Sequence, residues 1–281
     1  MIDATALTRP GSLLPCLRAA WLEFLAAWKR KGYGRTSRQT RSLSGMAALA
    51  TLGAIVAAGA AWDVDARAWA AGLPGGVVRV FEFITKFGES GYVFALIAIV
   101  GVWAIAARGR GDRARVEAGL TQLAARAMFL FCVAAGSGLA SQALKHMFGR
   151  ARPKLYDVVG PFHFDTFSIY ATYASFPSGH AVTAFAMALA IYYLSPRVGM
   201  ALFICAALVA ASRVIIGAHY LSDVLAGVAL GVASSLILRR EFAARGVVFA
   251  RAGETTRLRG RGLIWPAVKA ALRRRPPPVT R

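Results

Sequence analysis

The sequence predicts an all-α, polytopic membrane protein: a bundle of six transmembrane helices with both termini in the cytoplasm. Three observations carry this. Hydrophobic residues make up 57% of the 281 positions, and mean hydropathy is +0.52, well above the range of soluble domains. The apolar residues fall in long blocks, near 44–62, 91–107, 121–143, 180–195, 198–212 and 220–238. A membrane helix needs roughly 20 such residues. The basic residues behind the net charge of +21 concentrate outside the blocks.

The elements follow in chain order. Residues 1–43 form a basic cytoplasmic segment. Within it "LLPCLRAAWLEFLAAW" reads either as an amphipathic helix lying on the inner leaflet or as a poorly ordered tail. Residues 44–238 form the membrane domain. Gly, Ser and Thr interrupt several of its blocks, as packed membrane helices allow. The block at 198–212 is short and is expected to borrow the residues after it. Residues 239–281 form a second basic tail, and its end, "RRRPPPVTR", has the composition of a disordered segment.

Basic runs before the first block, in "RGRGDRAR" between the second and third, and after the sixth place those segments inside by the positive-inside rule. This topogenic role is a sufficient account of the charge. Nucleic-acid binding is disfavoured, because the tails lack interleaved aromatics and any recognisable module. Cys16, Cys132 and Cys205 have neither disulfide nor metal spacing.

Three segments then face outward: Trp62 to Ser90, Lys145 to Gly179, and Arg213 to Leu221. The last two carry basic residues on the side where the topology rule disfavours them. "KHMFGRARP" puts six residues between Lys145 and Arg152, with Pro153 next. "SRVIIGAHYLSD" puts five residues between Arg213 and His219 and three between His219 and Asp223, which stand at i and i+4. The last spacing predicts one helical face. A carboxylate at the head of a membrane helix needs a partner, and His219 is the nearest candidate. Between these stretches stands "PSGH". Pro177 ends a loop, Ser178 suits an N-cap, and Gly179 permits close approach to backbone. His180 opens an apolar run.

A helix N-terminus offers unpaired N–H groups and the positive end of a dipole, which is an anion site. Lys145, Arg152 and Arg213 add three cations, and arginine suits phosphate oxygens. The ligand expected is a phosphate group at the outer membrane boundary. A carboxylate-held His219 can act as nucleophile. His180, beside a bound dianion, can protonate a leaving oxygen. No outward carboxylate cluster calls for a metal, and no cofactor is expected. Arg150 and Lys154 read as headgroup contacts or snorkelling cations. His146 and His163 read as loop residues. The aromatics Phe162, Phe164, Phe167, Tyr170, Tyr173 and Phe176 read as a lipid entrance or an interfacial belt.

Taken in order, "KHMFGRARP", "PSGH" and "SRVIIGAHYLSD" resemble the signature of the type 2 phosphatidic acid phosphatase superfamily, without a departure. The resemblance runs from about Trp62 to Leu238. It implies that His219 attacks phosphorus, that Asp223 orients it, and that His180 protonates the leaving oxygen. It assigns Lys145, Arg152, Ser178, Gly179 and Arg213 to the phosphoryl oxygens. It also implies metal-independent hydrolysis of a lipid phosphate or diphosphate through a phosphohistidine, at the periplasmic face of a bacterial inner membrane. Undecaprenyl diphosphate, phosphatidylglycerol phosphate, phosphatidic acid and lipid A 1-phosphate are the candidate substrates. Two other readings stay open: a phosphotransferase with another acceptor, and an anion or lipid transporter.

Overall fold

The computed structural model describes residues 13–29, 38–108, 114–252, 255–260 and 262–272. In chain order they form α1 (Leu13–Trp28), α2 (Arg38–Ala71), α3 (Gly75–Thr85), α4 (Ser90–Ala106), α5 (Ala114–Phe148), the single turn α6 (Tyr156–Val159), α7 (Gly179–Leu194), α8 (Pro196–Ile215) and α9 (Leu221–Ala244). A hairpin of β1 (Phe249–Ala252) and β2 (Thr255–Leu258) and a last helix, α10 (Ile264–Leu272), follow.

Among the described residues, four helical stretches are long and apolar enough to cross a bilayer: Gly75–Ala106, Ala114–Phe148, Pro196–Ile215 and Leu221–Ala244. Ala50–Gly59 and Gly179–Leu194 are shorter apolar helices. The six apolar blocks fall on α2, α4, α5, α7, α8 and α9. The short fifth block does borrow: α8 continues through Arg213 to Ile215. The stretch from Trp62 to Ser90, expected to be a loop, is mostly helical. Its run "DVDARAWAA" holds good helix formers and no breaker, so α2 continues to Ala71. The proline at 74 then stands at the N-cap of α3.

The chain divides into two compact units. One comprises residues 1–33, 95–131 and 239–281. It is built on aromatic contacts: Phe129 meets Phe242 and Phe249 edge-on, and Phe24 and Trp28 close on Phe242. A smaller cluster joins Val116, Leu120 and Ala267. The helix α1 covers the sixteen residues read as amphipathic.

The other unit comprises residues 34–94 and 132–238 and holds every predicted site residue. Within it α7 and α8 form a hairpin, with Ser195 between them and Pro196 in the first turn of α8. The helix α9 lies against α7 through Gly227, Gly231 and Ser235, spaced four apart on one face. A Cβ on Gly227 would stand 2.6 Å from the Ser178 carbonyl, and one on Gly231 2.5 Å from that of Val182. Ser235 Oγ donates to the Ala186 carbonyl at 2.6 Å. Small residues at this spacing let membrane helices touch backbone to backbone. The contact sets the first turn of α9 beside the first turn of α7, and the Ser178 N–H donates to the Asp223 carbonyl at 2.9 Å.

Candidate active site

The five-residue gap between Arg213 and His219 is the length of one helix-ending turn. Gly217 has φ +65°, a conformation that costs a side chain but not glycine. Its N–H donates to the Val214 carbonyl at 2.9 Å, and the Ala218 N–H donates to Arg213 at 3.0 Å. This pair is the Schellman closure of a helix C-terminus. The His219 N–H also donates to the Arg213 carbonyl, at 3.1 Å. The turn therefore folds the imidazole back toward the end of α8, where Arg213 stands.

The gap between His219 and Asp223 is set by a helix start. The sequence placed both on one helical face. In the structure α9 begins at Leu221, so His219 precedes it and Asp223 lies in the first turn. Asp223 Oδ2 accepts from the Tyr220 N–H at 3.0 Å, the carboxylate half of a capping box. The same oxygen accepts from Ser175 Oγ at 2.6 Å. His219 Nδ1 stands 3.7 Å from it, outside hydrogen-bond range. Nδ1 faces the carboxylate, which leaves Nε2 as the nitrogen for a substrate.

Lys145 ends α5 and Arg152 lies in extended backbone after Gly149, which has φ +59°. A Cβ on Gly149 would collide with the Asp165 carbonyl, so the turn out of α5 admits only glycine. Lys145 Nζ donates to the Ala174 carbonyl at 3.2 Å. Arg152 Nε donates to Ala171 at 2.9 Å, and its Nη2 to Ala174 at 3.4 Å. Arg213 Nη1 donates to Thr85 Oγ1 at 2.7 Å. The structure thus brings Lys145, Arg152 and Arg213 together, close enough for mutual like-charge repulsion.

Ser178 occupies the N-cap of α7 as expected, but its hydroxyl makes no capping bond. A Cβ on Gly179 would point at Lys145 Nζ and Ser141 Oγ, each 3.8 Å away. Gly88 reaches the same end of α7, where an added Cβ would stand 2.8 Å from the His180 ring. Among the described residues, Ser141 Oγ, Ser178 Oγ, Arg213 Nε and His219 Nδ1 are buried without a hydrogen-bond partner. Buried polar groups normally have partners. A phosphoryl group among the three cations would satisfy the serine hydroxyls at the mouth of α7.

His219 is 3% exposed. Burial pushes its imidazole down to about 4, Asp223 pulls it back up, and Lys145 and Arg213 add to the lowering. The ring is therefore neutral at ordinary pH, the form in which an imidazole can donate an electron pair. Burial also lowers Arg152, which remains charged at any physiological pH. Among the described residues no group of three or more His, Cys, Asp or Glu could hold a metal ion.

Two expectations are corrected. Asp223 takes Arg150, not His219, as its closest charged partner: Arg150 Nη1 donates to Oδ1 at 2.6 Å. Arg150 accordingly neither snorkels nor meets a headgroup; it is 3% exposed and bonded to Asp63, Asp223 and the Pro161 carbonyl. Sequence reasoning also missed Asp63, Thr85, Ser141 and Ser175. Ser141 had a legible signal, since it lies one helical turn before Lys145 on the same face. The other three reach the site only through tertiary packing. His146 stays at the periphery, with Nδ1 2.9 Å from the Ser168 carbonyl, and His163 is exposed beside Tyr173.

Three cations and a neutral imidazole gathered at a helix mouth can receive a phosphoryl group. Residues 126–246 match the PAP2 superfamily model. The chain is 32% identical to a lipid A 1-phosphatase of Rhizobium johnstonii, over 92% of this chain and 99% of that one. It is 35% identical to a lipid A 1-phosphatase of Rhizobium etli, over 73% and 84%. Two solved structures align with a TM-score of 0.46. One is a transmembrane PAP2 type phosphatidylglycerolphosphate phosphatase from Bacillus subtilis, at 22% identity over 79% of this chain and 93% of that one. The other is LpxE of Aquifex aeolicus, at 18% identity over 64% and 96%. The chain belongs to the PAP2 superfamily and is a lipid phosphate phosphatase of the membrane.

Proposed function

We propose that the protein removes the 1-phosphate of lipid A, or of a close lipid A precursor, at the periplasmic face of a bacterial inner membrane. The observation that supports this substrate is the relationship along nearly the whole chain to a lipid A 1-phosphatase. The six apolar helices cross the membrane with both termini in the cytoplasm, which sets the site at the opposite face. The basic flanks on the cytoplasmic side support that orientation.

The reaction runs in two steps. Lys145, Arg152, Arg213 and the first N–H groups of α7 hold the phosphoryl oxygens, with Ser178 and Gly179 at the mouth of the helix. Their charge and dipole offset the charge that spreads over those oxygens in the transition state. His219 Nε2 attacks phosphorus, and the bond to the lipid oxygen breaks. Asp223 stabilises the imidazolium through Nδ1–H, and His180 gives its proton to the leaving oxygen. A water, deprotonated by His180, then attacks the phosphohistidine and releases inorganic phosphate and neutral His219.

The test is phosphate release by purified protein in detergent with chelator present. Lipid A, undecaprenyl diphosphate, phosphatidylglycerol phosphate and phosphatidic acid form the panel, with His219→Ala as control. Preference for lipid A, with loss only of the phosphate at position 1 by mass spectrometry, is the expected result. Preference for another lipid overturns the substrate assignment. Label that passes to a second lipid instead of to water would make the protein a phosphotransferase.

A further inference from the structure

The cluster that fixes Asp223 lies outside the phosphate cradle and outside the three signature stretches' assigned residues. Its centre is Arg150, in the loop that follows α5. Arg150 Nη1 donates to Asp223 Oδ1 at 2.6 Å and to Ser222 Oγ at 2.8 Å. Nη2 donates to Asp63 Oδ2 at 2.8 Å and to the Pro161 carbonyl at 2.9 Å, and Nε donates to Pro161 at 3.2 Å. All five guanidinium N–H groups thus have acceptors. The guanidinium also lies 4.4 Å from the centre of the Tyr220 ring.

Asp63, on α2, completes the arrangement from the far side. Its Oδ1 accepts from the Ser222 N–H at 2.9 Å, and its Oδ2 accepts from Ser222 Oγ at 2.6 Å. It therefore caps the first turn of α9 from another helix, while Asp223 caps it from within. Arg150, Asp63 and Asp223 are 3%, 1% and 0% exposed. One buried cation between two buried carboxylates costs desolvation that hydrophobic residues would avoid. A structural staple alone does not call for that cost at this spot. Its geometric effect is specific: Arg150 occupies Oδ1, and Oδ2 is the oxygen that faces His219.

We propose that Arg150, with Asp63 as its counter-charge, is a positioning residue that holds the catalytic carboxylate with Oδ2 toward the His219 imidazole. The inference rests on the phosphatase reading of the site. Arg150 takes no part in holding phosphate, because all its donors are committed. Loss of the pair therefore slows the chemical step and spares substrate binding. It also changes the field at His219, by opposite signs for the two partners. The charged and titratable groups that act on His219 are Asp223 on α9, Lys145 on α5, Arg213 on α8 and His180 on α7; Arg150, in the loop after α5, acts through Asp223. Removing the Arg150 charge leaves Asp223 less neutralised, so the imidazole holds its proton to higher pH. Removing the Asp63 charge leaves Arg150 less neutralised, and the imidazole loses its proton more readily.

The experiment compares wild type, Arg150→Gln, Arg150→Lys and Asp63→Asn for kcat, KM and the acid limb of the pH–rate profile, on whichever lipid the wild type hydrolyses. Size-exclusion elution checks the fold of each variant. A loss of about tenfold or more in kcat with KM unchanged is expected for the Arg150 variants, and a smaller loss for Asp63→Asn. Arg150→Lys keeps the charge but not the fork, so it should recover little. The acid limb should move up in Arg150→Gln and down in Asp63→Asn. If the Arg150 variants do not fold, Asp63→Asn decides alone. Wild-type kcat and an unmoved limb in Asp63→Asn overturn the proposal, as does a rise in KM at constant kcat. An inactive wild type would instead sink the phosphatase reading.

Discussion

His219 Nδ1 stands 3.7 Å from Asp223 Oδ2, and that oxygen already accepts from Ser175 Oγ and the Tyr220 N–H. The carboxylate is thus held by other donors, and Nδ1 of the imidazole is the atom left without a hydrogen-bond partner. A shift of under an ångström brings the pair to hydrogen-bond distance. The positive charge that develops on the ring as Nε2 bonds to phosphorus, with Nδ1 keeping its proton, would draw the ring that way.

Replacing His219 should abolish turnover whatever the lipid. His219→Gln keeps a polar side chain of similar reach but offers no nucleophile, and a fall in kcat of at least about a thousandfold is expected. Phosphate release by the variant against wild type measures it. A variant with substantial phosphate release would remove His219 as the nucleophile.

The acid limb of the rate profile should lie well below the ordinary histidine range. Burial lowers His219 to about 4, so the ring stays neutral as pH falls through 6.5 and is lost as nucleophile only near pH 4. Rate should therefore be insensitive to His219 between pH 7 and pH 5 and fall below that. The sign for stability agrees: an unfolded chain binds this proton more readily, so folding weakens as pH drops from about 6.5 to about 4. A kcat profile that already halves near pH 6.5 on the acid side would contradict the buried, neutral ring.

The cationic cradle should govern phosphate capture. Arg152→Ala removes a half-buried guanidinium that touches only carbonyls, so the fold should survive. A loss of about a hundredfold in kcat/KM is expected. Ser141→Ala should be milder, within about tenfold, and should appear in KM if the hydroxyl contacts bound phosphate. Inhibition by vanadate, a phosphate analogue, gives a second readout for both.

Glycines at two positions should not tolerate a side chain. Gly227→Val would drive a branched chain into the Ser178 carbonyl and the Ala181 methyl. A cost of about 1–3 kcal/mol from overpacking is expected, together with lost activity, because the contact sets Ser178 beside Asp223. Gly149→Ala meets both a collision and a positive φ, and should lower the thermal midpoint further. A Gly227→Val protein with wild-type melting and activity would remove the helix contact from this account.

The apolar helices were legible because lipid imposes a strict rule on sequence. A stretch that spans must be long, apolar and helical; the blocks at 91–107 and 198–212 fall in stretches long and apolar enough to cross, and the block at 180–195 falls on the shorter apolar helix α7. The signature spacings were legible too, and local structure explains them. Six residues from Lys145 to Arg152 span a helix end, a glycine turn and an extended step. Five from Arg213 to His219 span a Schellman turn at Gly217. Three between His219 and Asp223 span a helix start with its own cap. Such turns are decided by nearest neighbours, so they show in the chain itself. The stretch 62–90 was misread because outward-facing segments were equated with loops, whereas "DVDARAWAA" continues α2.

The sequence by itself determined the helices, the turns between them and the residue types suited to phosphate, since each depends on a few consecutive positions and on the solvent they meet. Only the tertiary structure decided which charges meet. Arg150 sits two residues from Arg152 and reads as the same kind of group. One faces the carbonyls of the loop at 171–174; the other is buried between Asp63 and Asp223, 87 and 73 residues away. Those partners come from α2 and α9, and no local pattern links them. Burial of a charge is stable only where packing supplies its counter-charge, and packing is a property of the folded chain.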